Sequence, residues 1–159
     1  LQTNGFSLAR RVIFDLCGYS WQDKVPGTNR TFGEALLAVH RSFLKPVSKI
    51  MDRKIKIHGM AHITGGGFPD NIPRVLPKVC NAEIDRDAWE VPTIFKFIQN
   101  QGKVDRDEMY RVFNMGIGYV IIIAKKDVAT VEAILKKQKQ PYSVIGTIRK
   151  GKGIVTYKN

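Results

Sequence analysis

From Phe6 onward the apolar residues Phe6, Ala9, Val12, Ile13 and Leu16 recur at spacings of three and four. That is one face of an amphipathic helix, predicted to start at the Thr3-Asn4-Gly5 turn and to end near Gly18. Residues 20–30 contain Pro26-Gly27 and several polar residues and read as a loop. Thr31 and Glu34 have the spacing of a capping box, in which hydroxyl and carboxylate satisfy the free N–H groups of a helix start. They open a short helix through Leu36, Leu37 and His40. Pro46 falls where a first helical residue is tolerated, with Val47, Ile50 and Met51 on the buried side. Ile55, Ile57 and the stretch to His62 alternate as a strand, ended by Gly65-Gly66-Gly67. Beyond it the pattern predicts a strand over 82–84, helices over 92–101 and 105–113, and a buried strand over 119–124. A helix capped by Asp127 follows, with Val128, Val131, Ile134 and Leu135 on one face. Residues 142–149 and 154–157, joined through Lys150-Gly-Lys-Gly153, are predicted to form a hairpin. Strands and helices alternate without a strict βαβ repeat, so the expected class is α+β, a layered mixed sheet with packed helices.

A length of 159 residues fits one domain, 1–159. At 43% hydrophobic and 25% charged, the composition is that of a globular protein with a buried core, not a disordered or collagenous chain. The longest apolar run, residues 119–124, is far short of the roughly 20 residues that span a bilayer. Cys17 and Cys80 form neither a closely spaced framework nor a C-x-x-C pair, which argues against a secreted disulfide scaffold or zinc cluster and for a reducing, cytoplasmic location. The chain begins at Leu1 without a charged and apolar leader. The expectation is that the N-terminal part of a longer protein precedes it.

The net charge of +12 invites a basic nucleic-acid-binding reading, since Lys and Arg displace counterions from phosphate backbones. Its distribution weakens that reading: residues 1–61 carry +6, 62–124 carry −1 and 125–159 carry +7. The lysines at 136, 137 and 139 also fit a solvated helix end.

Candidate chemistry gathers in the neutral middle, in Ala61-His62-Ile63-Thr64-Gly65-Gly66-Gly67 and the following Asn71-Ile72-Pro73-Arg74-Val75-Leu76-Pro77. Three glycines remove every Cβ from a turn, so successive N–H groups can point at an anion. A helix over 71–76 would set that loop at a helix N-terminus, which favours phosphate. Arg74 adds a bidentate fork and Thr64 a hydroxyl. On spacing alone a plain flexible turn is the better explanation of the glycines. Asn4 and Gly5, at the mouth of the first helix, are either an ordinary cap or a second anion contact. Phe113-Asn114-Met115-Gly116-Ile117-Gly118 makes a third glycine joint, a candidate wall of the site. His58 and His62 stand roughly 13 Å apart along a strand, too far to share a metal, and no metal site is expected. His62 adjoins the glycines and is the candidate proton-transfer or phosphate group.

The long glycine signature, with Asn4-Gly-Phe-Ser-Leu8 before it and Glu108-Met-Tyr-Arg-Val-Phe-Asn-Met-Gly-Ile-Gly118 after it, resembles the phosphoribosylformylglycinamidine cyclo-ligase (aminoimidazole ribonucleotide synthetase) family. The resemblance covers essentially the whole chain and is to the C-terminal half of family members. It implies a layered α+β fold and ATP-dependent ring closure of formylglycinamidine ribonucleotide in purine biosynthesis. It further implies ATP and Mg2+ bound mainly by an N-terminal domain, and a homodimer. The residues it carries over as substrate or phosphate ligands are Asn4, Gly5, Arg41, Thr64, Gly65, Gly66, Gly67, Asn71 and Arg74, with His62 in a catalytic role. Gln2 stands where the family commonly has His. Of the family's Pro-Thr-Arg-Ile-Tyr segment only Arg41 is kept in Val39-His40-Arg41-Ser42-Phe43. Relatives in the wider superfamily, an amidotransferase and kinase-like enzymes, lack so close a match to 71–77.

Overall fold

A computed structural model describes residues 1–158. They divide into two compact units, each assembled from separated stretches of chain.

The first unit comprises Leu1–His40, Ile63–Asn71 and Glu90–Gly118, and its regular structure is helical. Helix α1 (Phe6–Arg10) runs directly into a π-helical segment, Arg11–Leu16. The apolar face is buried at Ala9, Val12 and Ile13, but Leu16 is 63% exposed. Each π turn takes about one residue more than an α turn, so a residue placed by α spacing rotates out of the face. Helix α2 (Phe32–Leu36) carries the expected capping box: Glu34 N–H donates to Thr31 Oγ1 at 3.1 Å and Thr31 N–H to the Glu34 carboxylate at 2.8 Å. It ends before Leu37, which is exposed with His40 rather than helical. Helices α4 (Gly67–Asn71), α5 (Thr93–Gly102) and α6 (Arg106–Val112) complete the unit. Asp105 caps α6 by accepting from the N–H groups of Asp107 and Glu108. Phe95, Phe97, Ile98, Met109, Tyr110 and Phe113 fill the core.

The second unit comprises Arg41–His62, Ile72–Trp89 and Tyr119–Asn159. Helix α3 (Leu44–Met51) packs on α7 (Val128–Lys137). Pro46 is the third helical residue of α3, not the first; its missing N–H is still among the four that a helix start leaves unpaired. Strands β1 (Ile57–His62) and β3 (Tyr119–Ile123) form an antiparallel pair with a bulge between Ile57 and Gly59. Strand β2 (Cys80–Asp85) lies between β4 (Gly146–Lys150) and β5 (Val155–Lys158), antiparallel to β4 and parallel to β5. Ala82 and Ile84 turn to the core, while on the opposite face Glu83 meets Arg149 and Asp85 meets Lys158.

The hairpin expected at the C-terminus does not form, because β2 is inserted between its two strands. The intervening loop wraps the end of β2: Asn81 Oδ1 accepts from Lys152 and Ile154 N–H, and Gly151 N–H donates to Val79. The architecture is α+β with a mixed sheet, an antiparallel strand pair and packed helices. Among the described residues no helix is long and apolar enough to cross a membrane.

Candidate functional site

In the first unit, all three glycine joints meet around the C-terminal end of α6. Gly5 has φ +81°, and the ring of Phe113 occupies the space a Cβ would need. Asn4 Nδ2 donates to the carbonyl of Val112, tying the first joint to the same helix end. Gly67 has φ +56°; a Cβ there would overlap the Tyr110 carbonyl oxygen and lie 2.8 Å from its carbon. The third joint follows α6 directly, with Met115 and Gly116 at φ 50° and 99°. Ile63 N–H donates to the Gly118 carbonyl at 2.9 Å, which fixes where the glycine loop begins.

Among the described residues the buried polar side chains are Asn71 and Asn114, and both serve these joints. Asn71 Nδ2 donates to the carbonyls of Thr64, Gly65 and Gly67 at 3.3, 3.1 and 2.7 Å, while its Oδ1 accepts from the Thr64 hydroxyl at 3.2 Å. The loop's carbonyls are thus drawn inward onto one amide. Asn114 Nδ2 donates to Gln2 Oε1 and its Oδ1 accepts from Gly116 N–H, both at 3.0 Å. A buried amide with every polar atom engaged holds a single geometry, because losing one partner costs about 1–3 kcal/mol.

The outer side of the loop is different. Gly65 is exposed, and a Cβ there would meet only Asn4 Cβ at 3.9 Å. Gly66 is half-buried at φ +86°, with the Asp70 side chain beside it. Gly67 N–H is used internally, donating to Thr64 O at 2.9 Å. The helix after the loop starts at Gly67 and ends at Asn71; residues 73–75 form a separate 3-10 turn, so the helix expected over 71–76 lies earlier and is shorter. Asn71 therefore braces the loop from its far end.

Asn4, Gly5, Thr64, Gly65, Gly66, Gly67 and Asn71 are thus gathered in one unit. Arg41, His62 and Arg74 belong to the other. There His62 is exposed and lies beside Tyr119 and Phe43, each with ring centroids at 6.1 Å. Arg74 is exposed on the 3-10 turn. Sequence reasoning passed over Asn114 and Gln2 as a bonded pair. The available signal was a lone amide among the apolar residues Phe113, Met115 and Ile117.

A family model described as "AIR synthase related protein, C-terminal domain" matches residues 2–158. The chain belongs to this family. As a member of the AIR synthase related C-terminal domains, it is similar to proteins named phosphoribosylformylglycinamidine cyclo-ligase. That of Caldanaerobacter subterraneus subsp. tengcongensis is 46% identical over 153 residues, covering 96% of this chain and 45% of that protein. The Geotalea daltonii protein is 43% identical over 150 residues, covering 94% of this chain and 43% of that protein. The Bacillus velezensis protein is 44% identical over 154 residues, covering 97% and 44%. The chain therefore spans less than half the length of these relatives. Among solved structures, thiamine-monophosphate kinase from Stenotrophomonas maltophilia K279a has a TM-score of 0.64 at 12% identity, covering 98% of this chain and 48% of that one. That likeness establishes the fold.

Proposed function

We propose that this AIR synthase related domain supplies the phosphate-holding part of a phosphoribosylformylglycinamidine cyclo-ligase. The reaction is ATP-dependent ring closure of formylglycinamidine ribonucleotide to aminoimidazole ribonucleotide in purine biosynthesis. The observation that carries the reading is the inward clamping of the Thr64, Gly65 and Gly67 carbonyls by Asn71, with Gly65 left exposed on the opposite side. A loop whose carbonyls turn in presents N–H dipoles outward without any reorganisation on binding, which suits an anionic oxygen. The names of the relatives, at 43–46% identity, support the choice of this reaction over others on the same fold.

In this reading Gly65 and Gly66 N–H, with Asn4, hold a phosphate group of the ribonucleotide or the one being transferred, while the Thr64 hydroxyl, donating to Asn71 Oδ1, steadies the loop. Their work is positioning, which suits a ring closure whose reacting nitrogen and carbon already lie in one molecule. Arg41, His62 and Arg74 are further candidate ligands through the family resemblance, His62 as the proton-transfer group. ATP supplies a phosphoryl group that turns the formyl amide oxygen into a leaving group. Among the described residues no three His, Cys, Asp or Glu side chains gather to hold a metal ion. The family resemblance assigns ATP and Mg2+ mainly to the N-terminal part that the relatives possess beyond this chain, and implies a homodimer and a cytoplasmic setting for the full-length protein. The test is ATP-dependent formation of aminoimidazole ribonucleotide by this chain joined to the N-terminal half its relatives possess. Turnover by the joined protein and none by the 159-residue chain alone is expected; a folded joined protein without turnover would overturn the assignment.

A further inference from the structure

Holding a phosphate leaves one feature of the glycine loop unexplained, the carboxylate of Asp70. A Cβ on Gly66 would overlap that carboxylate and lie 2.7 Å from its Cγ, so Cγ stands no more than about 4 Å from the Gly66 Cα and about 5 Å from the Gly66 nitrogen. Asp70 is exposed, and among the described residues its side chain makes no hydrogen bond or ion pair. The N–H groups of Gly65 and Gly66 likewise have no acceptor among the described residues. Other carboxylates of the same unit behave differently. Asp23 accepts from Ser20 N–H at 2.6 Å, Glu34 from Thr31 N–H at 2.8 Å and Asp105 from Asp107 N–H at 2.8 Å, each steadying a turn or a helix start. Asp70 stands beside two free donors and takes neither, so it does not serve the loop as a cap.

A phosphate oxygen accepting from Gly66 N–H lies within about 8 Å of that carboxylate from any approach. Like charges at this range in an exposed site weaken binding about threefold to tenfold. The carboxylate therefore works against a site for phosphate alone, and fits a ligand that brings a cation next to its phosphate. We propose that Asp70 binds the amidine of the substrate, and that the phosphate on Gly65 and Gly66 is the one being transferred rather than the one on the ribose. This rests on the cyclo-ligase reading above. A protonated amidine presents two N–H groups in one plane, which match the two carboxylate oxygens as a guanidinium does. In formylglycinamidine ribonucleotide the amidine carbon and the formyl carbon are joined through one CH2 and one NH, since together they become a five-membered ring. Phosphorylated at its formyl oxygen, that arm carries an anion and a cation a few ångströms apart, the separation offered by Gly66 N–H and Asp70. The ribose phosphate is set apart from the amidine by the sugar, and on this loop it would meet only the repulsion. Pairing with Asp70 also fixes how the arm lies, which holds the amidine against the formyl carbon.

Two small probes test this on the 159-residue chain, followed through the backbone amide shifts of Gly65 and Gly66. One is 3-phosphonopropanamidine, which joins a phosphonate to an amidinium through two carbons; the other is its neutral carboxamide counterpart. The parent should bind the amidine at least about tenfold more tightly than the amide. Asp70→Asn changes an exposed side chain without partners and should keep the parent's thermal midpoint. It should bind the two probes within about twofold of each other, and inorganic phosphate about threefold to tenfold more tightly than the parent does. Asp70→Glu, which keeps the charge, should prefer the amidine again. Equal affinity of the parent for the two probes, a preference that survives in Asp70→Asn, or phosphate binding unchanged by that variant overturns the inference and leaves the phosphate reading standing. Phosphate binding strengthened by Mg2+ in the parent but not in Asp70→Asn, with no preference for the amidine, overturns it in favour of a metal bridge. Gly65 and Gly66 amides unmoved by phosphate and by both probes overturn the phosphate reading itself, and this inference with it.

Discussion

Gly67→Ala offers a perturbation whose cost can be worked from two independent terms. The native φ of +56° is left-handed, which costs a residue with a Cβ about 1–2 kcal/mol. The added methyl also overlaps the Tyr110 carbonyl at the end of α6, a backbone atom that cannot rotate away. Relief requires α4 and α6 to separate, and overpacking of this kind costs about 1–3 kcal/mol. Together the expected loss is about 2–5 kcal/mol, a large share of the roughly 5–15 kcal/mol of a typical domain. Gly65→Ala, two residues away, is the internal control. Its φ is not positive and its methyl would meet only Asn4 Cβ at 3.9 Å. Loss of unfolded-state freedom then makes it neutral or more stable, by up to about 1 kcal/mol. Urea unfolding followed by circular dichroism measures both, as a change in midpoint at constant slope. Should Gly67→Ala lie within about 0.5 kcal/mol of the parent, or Gly65→Ala prove the more damaging, the packing of the loop on α6 is not as described.

Asn71→Ala removes the donor shared by three loop carbonyls and should cost about 2–4 kcal/mol by the same unfolding assay, with faster amide exchange across 64–67. Thr31→Ala deletes the hydroxyl of the capping box and should cost about 1 kcal/mol, detected as a lower thermal midpoint. Lys103→Gly, at the left-handed residue that ends α5, should raise the unfolding free energy by about 0.5–1 kcal/mol, an uncommon gain for a glycine substitution. Asn114→Ala breaks the link to Gln2 and Gly116 and should lower stability by about 1–3 kcal/mol.

Most helices and the central strands were legible because their signals are local. The Thr31 and Glu34 pair forms its capping box, and the 3.6-residue period of Val128, Val131, Ile134 and Leu135 places α7. Where a distant partner decides, local signals misled. Glycines and lysines at 150–153 carry all the marks of a hairpin turn, yet β2 sits between the strands and Asn81 holds the loop around its end. Leu16 has helical spacing from its neighbours, but the switch to π turns carries it into solvent. At the site, the glycine joints stood out as three separate features. Their convergence depends on Tyr110 and Phe113 as packing partners, and no spacing rule reveals which backbone a glycine must admit. Asn71 had the right neighbourhood, but its amide faces the loop's own carbonyls, a choice made by burial.

That the exposed side of the glycine loop holds a phosphate is tested most directly by titrating inorganic phosphate into the isotope-labelled 159-residue chain and following each backbone amide by NMR. The account predicts saturable shifts at Gly65 and Gly66, with neighbouring effects at Thr64 and Asn4, and their weakening in Gly65→Ala. Saturable shifts confined to the lysines of α3 and α7, with Gly65 and Gly66 unmoved, would contradict it.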